Sequence, residues 1–225
     1  MPERVKVALI GAGRIGQRHA ATLASLIPRA ELAVIADVHG PSAQALAERV
    51  RAGGWSADPE SVIANPAIDA IVIGSSTDSH APLIIAAAGA GKQIFCEKPI
   101  ALDLEATDRA LAAVDQAGVR LQMGFQRRFD KAYARAKALI AEGALGRIEA
   151  IRETMRDPNP APRSYLETSG GLYRDMSIHN FDCVRWMVGE EVTELFAMGS
   201  AIVDPVFAEL HDVDTSVVSL RFAND

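Results

Sequence analysis

The chain has 225 residues, 49% of them hydrophobic, and a formal net charge of −6. That length accommodates one large domain or two small ones around a sizeable core, and a net negative chain without a basic run excludes a nucleic-acid footprint. No apolar stretch approaches the roughly 20 residues that a membrane helix needs, so no membrane partner is expected either. The start, "MPERVKVALIGAG", lacks the cationic segment, apolar middle and small-residue cleavage site of a signal peptide. Cys96 and Cys183 have no metal-ligand spacing and lie in apolar surroundings. We therefore expect reduced core thiols in a cytoplasmic protein, and no metal site.

From residue 4 to about 123 the pattern alternates. Short β-branched runs at 5–10, 31–36, 69–73, 93–96 and 119–123 predict strands. Alanine- and leucine-rich segments at 14–27, 41–51, 79–89 and 103–117 predict helices, and "DPESVIANP" (58–66) predicts one short helix more. Strand–helix alternation points to a parallel sheet with helices on both faces, a doubly wound α/β domain over 1–123. Beyond 124 the rhythm changes. A helix is expected at 129–142, a long strand at 147–157, a proline-rich loop at 157–163, a Gly-Gly step into a helix through about 188, and strands at 192–203 and 213–223. This reads as a second domain, 124–225, of α+β type with an open, mainly antiparallel sheet. A sheet of about three strands leaves long edges uncovered, so that domain is expected to be incomplete.

Gly11, Gly13 and Gly16 stand at GxGxxG spacing between the first predicted strand and the first predicted helix. In that context the first glycine permits a tight turn, the second lets backbone approach a pyrophosphate, and the third allows close helix–strand packing. Free N–H groups and partial positive charge at the helix start favour phosphate, and Arg14 and Ile15 share that junction. Asp37 ends the second strand, 21 residues after Gly16, where a carboxylate accepts the adenosine ribose hydroxyls. It would repel a 2′-phosphate, and no cation follows it at once, so NAD is expected rather than NADP. Ser75, Ser76 and Thr77 follow the 69–73 strand and either line the cofactor or belong to a helix start capped by Asp78 or Ser79; His80 either joins them or is a satisfied helix-start histidine.

Lys98 follows the 93–96 strand in "IFCEKPI". Pro99 biases it toward an extended backbone. Sequence physics leaves two readings open: a lysine held for chemistry beside the nicotinamide end of the cofactor, or a surface pair with Glu97 of little energetic worth.

"CEKP" after a dinucleotide-binding pattern resembles the glucose–fructose oxidoreductase and inositol dehydrogenase family. "MGFQRRFD" (123–130), "SGGLYRDMSIHNFD" (169–182) and "HDVDTSVVSLRFAND" (211–225) resemble its inositol 2-dehydrogenase branch. The resemblance implies that Lys98, Asp175 and His179 are catalytic, with Glu97 and Lys98 on the cofactor side. It also makes Arg127, Asn159 and Asp182 candidate substrate contacts beside the catalytic three. Arg127 reads equally as an exposed helix charge, and Asn159 as a turn residue. Asn180 stands where that branch has aspartate, and Gln126 where methionine is common. Spacing of four also puts Asp175 and His179 on one face of a largely apolar, hence buried, helix, where a carboxylate–imidazole pair is costly unless paired or used.

The expectation is an NAD-dependent oxidoreductase that converts a ring secondary hydroxyl of a polyol or sugar to a ketone. His179 would serve as base, because its reference pKa is near neutrality. An NAD-dependent glycosidase and a non-catalytic dinucleotide sensor are the alternatives. The resemblance further implies a homo-oligomer, tetramer or dimer, assembled through the second-domain sheet.

Overall fold

The computed structural model describes residues 4–224. The chain divides into two compact units, one ending at Gly124 and one beginning at Phe125.

The first unit is built on six parallel strands: β1 (Val5–Ile10), β2 (Ala30–Ala36), β3 (Trp55–Ser56), β4 (Ala70–Ile73), β5 (Gln93–Cys96) and β6 (Leu121–Met123). Their order is β3-β2-β1-β4-β5-β6. The order reverses between β1 and β4, and that is where a doubly wound sheet opens a crevice for a ligand. Alternating side chains along the strands feed two cores. Ala8 and Ile10 of β1 join Ile71 and Ile73 of β4 and Ile94 and Cys96 of β5 on one face, while Val7 and Leu9 join Leu32 and Ile35 of β2 on the other. A strand buried on both faces has to be apolar at every position, which is why these runs read as continuous rather than alternating.

Five helices cover the sheet: α1 (Arg14–Ser25), α2 (Gly40–Val50), α3 (Pro59–Ala64), α4 (Thr77–Gly89) and α5 (Leu104–Ala117). Asp58 caps α3 by accepting the N–H groups of Glu60 and Ser61, and Asp103 caps α5 by accepting that of Ala106. Helix α4 starts two residues earlier than its composition suggests, after Ser76, so Asp78 and Ser79 lie inside its first turn rather than before it.

The second unit begins with a 3-10 turn (Gln126–Phe129) and α6 (Lys131–Ala141), whose N-cap Asp130 accepts the N–H groups of Ala132 and Tyr133. Next come α7 (Arg163–Ser169), a π-helical turn (Leu172–Ser177), α8 (Ile178–Val188), β7 (Val192–Ser200), α9 (Pro205–Glu209) and β8 (Thr215–Phe222). Strands β7 and β8 pair antiparallel, and they form the whole of this sheet among the described residues.

Two expectations fail here. The strand expected at 147–157 is not one: Glu153 and Met155 are half-buried and their neighbours exposed, but the segment joins no ladder. Alternating burial alone does not make a strand, which also needs a paired edge. The helix bearing Asp175 and His179 is neither regular throughout nor deeply buried. Its first turn is π-helical, and only Asp182, Cys183 and Met187 of α8 are buried. A π turn closes i→i+5 bonds, so the four-residue stripe drawn for a regular helix does not carry across it.

Candidate active site

At the carboxyl edge of the parallel sheet, the residue that follows each central strand is hooked to the end of its neighbour. Gly11 N–H donates to Ala36 O (2.8 Å), Gly74 N–H to Ile10 O (2.8 Å), Glu97 N–H to Ile73 O (2.9 Å) and Gly124 N–H to Cys96 O (2.8 Å). These bonds carry the ladder past the strands and align four loops in one row across the β1/β4 reversal.

Within that row the glycine loop is sterically determined. Gly11 has φ of 101°, and a Cβ there would stand 2.5 Å from Gly74 O. A Cβ on Gly16 would stand 1.9 Å from Gly11 O. Both positions exclude every side chain because loop, helix and β4 loop meet there. Gly13 is the reverse: a Cβ on it meets nothing within 4 Å. It is the N-cap of α1, with no side-chain cap and no acidic residue in the first turn. An uncapped helix start facing open space presents free N–H groups and positive dipole to an anion. Arg14 is exposed beside it, and Ile15 packs on Gly74, with its methyl 3.5 Å from where a Gly74 Cβ would be.

Asp37 closes the loop from β2. One carboxylate oxygen accepts Ala12 N–H (2.7 Å), the other His39 N–H (2.8 Å). A carboxylate oxygen takes more than one donor, so these bonds fix the group and leave acceptor capacity for ribose hydroxyls. Ser75 Oγ is 2.6 Å from Ser79 Oγ, and Ser79 Oγ donates to Ser76 O at 2.7 Å, so the serine loop is laced onto the first turn of α4. Thr77 is the first residue of that helix.

His80 is only 2% exposed, with Nδ1 2.7 Å from Pro99 O and Nε2 3.3 Å from Ser75 O, a buried ring between two backbone carbonyls. Glu97 is likewise turned into the protein, its Oε1 2.8 Å from His19 Nε2 on α1. His19 stacks edge-on against Phe95, with centroids 5.2 Å apart, and sequence reasoning missed it. The available signal was a histidine three residues after Gly16, on the helix that opens the glycine loop. Lys98 is half-buried between Glu97 and Pro99.

In the second unit, the Gly-Gly step is explained by Asp212. Gly171 has φ of 81°, a Cβ on it would lie 2.7 Å from Asp212 Oδ1, and the Asp212 carboxylate accepts Leu172 N–H at 3.1–3.2 Å. The π turn that follows carries Asp175, whose Oδ1 accepts the Tyr165 hydroxyl at 2.9 Å. His179, on the first turn of α8, meets the Phe125 ring edge-on at 6.5 Å between centroids.

The candidate substrate contacts of this unit are differently engaged than expected. Asp182 is 9% exposed and is gripped by Arg128, whose Nε lies 2.9 and 3.1 Å from its two oxygens and whose Nη2 lies 2.6 Å from one of them. Arg128 also stacks over Trp186, 5.9 Å from the ring centroid. Arg127 pairs with Glu153, donates to Met155 Sδ (2.8 Å) and lies over the Tyr133 ring, so it is no exposed helix charge. Both groups therefore serve ion pairs inside this unit. Asn159 is exposed in an irregular loop. Neither cysteine is poised as a nucleophile: burial, then the Glu97 charge, drives the Cys96 thiol far above its ordinary pKa, and burial, followed by Glu153, raises Cys183 to about 11.

A family model described as "Oxidoreductase family, NAD-binding Rossmann fold" matches residues 5–125, and the GFO/IDH/MocA C-terminal domain matches 133–225. The chain belongs to the GFO/IDH/MocA oxidoreductase family. It is 43% identical over 224 residues to the uncharacterized oxidoreductase YrbE of Bacillus subtilis, and 42% identical over 218 residues to the myo-inositol 2-dehydrogenase of Thermotoga maritima. Those alignments take in 100% and 97% of this chain, which spans 65% of the length of each relative. Among solved structures, scyllo-inositol dehydrogenase from Lactobacillus casei with bound NAD(H) and scyllo-inositol superposes with a TM-score of 0.90 at 32% identity, covering 99% of this chain and 67% of that one. As a GFO/IDH/MocA member, the chain has its glycine loop, Asp37 and Lys98 all inside the matched dinucleotide-binding region.

Proposed function

We propose that this protein is an NAD-dependent dehydrogenase that oxidises a ring secondary hydroxyl of a cyclic polyol, inositol 2-dehydrogenase chemistry, within a cytoplasmic homo-oligomer. The observation that carries this reading is the single sheet edge that holds an open, uncapped helix start at Gly13, the acceptor carboxylate of Asp37 and Lys98. These residues fit a dinucleotide: N–H groups for the pyrophosphate, a carboxylate for the ribose, and a cation beyond the switch point. Two named relatives are inositol dehydrogenases, which supports the substrate class.

NAD, when bound, supplies the hydride acceptor. The chain's residues do the rest. Gly11, Gly13 and Gly16 shape the anion cradle, flanked by Arg14, Ile15 and the Ser75–Thr77 loop. Lys98 hydrogen-bonds the reacting hydroxyl and favours its oxygen as negative charge develops. His179 takes the hydroxyl proton, and Asp175 orients and polarises the same group. The C–H electron pair leaves as hydride, the O–H proton goes to His179, and the ring carbon becomes a ketone. The apolar side chains left open on β7 and β8, with Leu195 and Phe196 each 64% exposed, support assembly through that sheet.

The deciding experiment is a panel of cyclic polyols and sugars given to the full-length protein with NAD and followed by NADH absorbance. Stoichiometric NADH with ketone formation supports the reading. Sugar cleavage without net NADH would replace it by a glycosidase, and dinucleotide binding with no turnover would replace it by a sensor.

A further inference from the structure

We infer that His19 and His80 are a pair of positioning residues that hold Lys98 from its two sides. The inference rests on the reading of Lys98 as a catalytic group. Each neighbour of Lys98 in the chain is held by a different helix. On the N-terminal side, Glu97 is fixed by three contacts. Its N–H donates to Ile73 O at 2.9 Å, its Oε1 takes the Nε2–H of His19 at 2.8 Å, and its carboxylate lies so close to Gly124 that a Cβ there would be 2.8 Å from Oε2. On the C-terminal side, Pro99 is buried and its carbonyl takes the Nδ1–H of His80 at 2.7 Å.

Carboxylate and carbonyl oxygens only accept, so Nε2 of His19 carries a proton, and at His80 the shorter contact, Nδ1 to Pro99 O at 2.7 Å against Nε2 to Ser75 O at 3.3 Å, assigns the proton to Nδ1. His19 stands on α1, the helix that opens the glycine loop. His80 stands on α4, at the end of the serine loop, with its second nitrogen 3.3 Å from Ser75 O. The two rings thus tie Lys98 to the two loops proposed to hold the cofactor. Proline supplies no N–H and a fixed φ, so the carbonyl of Pro99 is the handle left for holding that residue's orientation.

A lysine side chain forfeits up to about 2 kcal/mol of rotamer freedom on ordering. A misplacement of about 1 Å at a reacting centre costs on the order of a hundredfold in rate. Fixing the backbone on both sides of Lys98 in advance is what limits that loss. Simple packing would not require a carbonyl on the chain neighbour of Lys98 in one case and the side chain of its other neighbour in the second.

The test uses four variants of the full-length protein. His19→Leu and His80→Leu remove the bonds. His19→Gln and His80→Asn return an amide N–H near the positions of Nε2 and Nδ1. Two readouts are taken: kcat, polyol KM and NADH Kd, and the 13C resonance of reductively methylated Lys98, assigned through Lys98→Arg. The expected result is a kcat lowered about ten- to a hundredfold in each Leu variant, with NADH Kd within about twofold, and recovery to within about threefold in the amide variants. The Lys98 resonance should move toward the solvent-exposed position in the Leu variants and return in the amide ones.

Wild-type kcat and an unmoved Lys98 resonance in folded Leu variants would overturn the inference. If His80→Leu does not fold, the His19 pair of variants and the resonance decide alone. If the wild type turns over no polyol, the function reading fails while the resonance still tests the clamps.

Discussion

The carboxylate of Asp37 bridges two backbone N–H groups, that of Ala12 at 2.7 Å and that of His39 at 2.8 Å. Ala12 lies between Gly11 and Gly13, so the end of β2 is bonded directly to the loop proposed to cradle the pyrophosphate. The same carboxylate that would select the ribose also sets the loop. NADH should bind at least about tenfold more tightly than NADPH, about 1.4 kcal/mol, because a 2′-phosphate would face this charge. Titration calorimetry with both dinucleotides checks it. Asp37→Ser should narrow the preference and weaken NADH together, since Ala12 N–H loses its acceptor. A variant that binds NADPH well at undiminished NADH affinity would separate the two roles and contradict the bridge.

Lys98→Met should lower kcat by about 10²–10⁴, the usual contribution of a positioned proton-handling group, and leave NADH Kd nearly unchanged. Lys98→Arg should also be poor, because a planar guanidinium replaces a compact, strongly hydrated ammonium. Steady-state kinetics with fluorescence titration of NADH measures both. Near-wild-type kcat in Lys98→Met would return the lysine to a structural turn.

The Arg128–Asp182 fork is a stability element. Arg128 is 41% exposed and Asp182 only 9%, so the cost falls mainly on the carboxylate left behind when the arginine is removed. Arg128→Leu should cost about 1–3 kcal/mol, below the range for a fully buried pair because solvent screens the arginine. Thermal unfolding should therefore drop by several degrees. Arg128→Lys should recover little, since an ammonium cannot reproduce the two-pronged grip. Activity lost without any thermal shift would instead mark Asp182 as a substrate contact.

The parts of this structure that were legible in sequence are those where a local pattern meets a local cause. Strands β1, β2, β4 and β5 carry apolar runs because side chains on both faces enter the cores, and Asp58 and Asp103 cap the helices they precede. Strand β3 has two residues, too few for any period. The π turn was not legible, and the group that meets its entry at Gly171, Asp212, lies 41 positions away in the chain. The same holds for the site. The glycine spacing announced its loop, but the partners of Glu97 and Asp182 lie 78 and 54 positions away and leave no spacing signal. Residues 147–157 show the converse error: alternation was present and a pairing strand was not.

Asp214 makes stability depend on acid. Desolvation opposes its charge, but the N–H groups of Ile202, Val203 and Asp204 and the Thr215 hydroxyl outweigh it and lower the pKa from 3.8 to about 2. A depressed folded-state pKa contributes stability that is present above the unfolded value and lost as pH falls through the folded one. Asp214→Asn should therefore melt lower than wild type at pH 6, with the gap closing as pH falls from about 4 to 2. A gap independent of pH would mean that the charge is immaterial and only the shape of the side chain counts.

Tyr165 donates to Asp175 Oδ1 at 2.9 Å from helix α7, while Asp175 itself sits on the π turn. A carboxylate on an irregular turn is less fixed by its own backbone than one on a regular helix, so an external hydrogen bond has more to contribute. A bond to a charged acceptor is worth about 1.5–3 kcal/mol, and Tyr165 is partly exposed, which places the expected effect of Tyr165→Phe near the low end, about tenfold in kcat. NADH affinity should not change, because Asp37 and the glycine loop are untouched. The melting temperature should fall by a few degrees at most, since the ring and its packing are kept. The informative comparison is kcat against KM for the polyol. A fall in kcat alone would mean that the phenol aligns Asp175 for the reacting hydroxyl, and a rise in KM alone would mean that it shapes binding before reaction. If neither constant moves, the hydrogen bond is only a tie between α7 and the π turn.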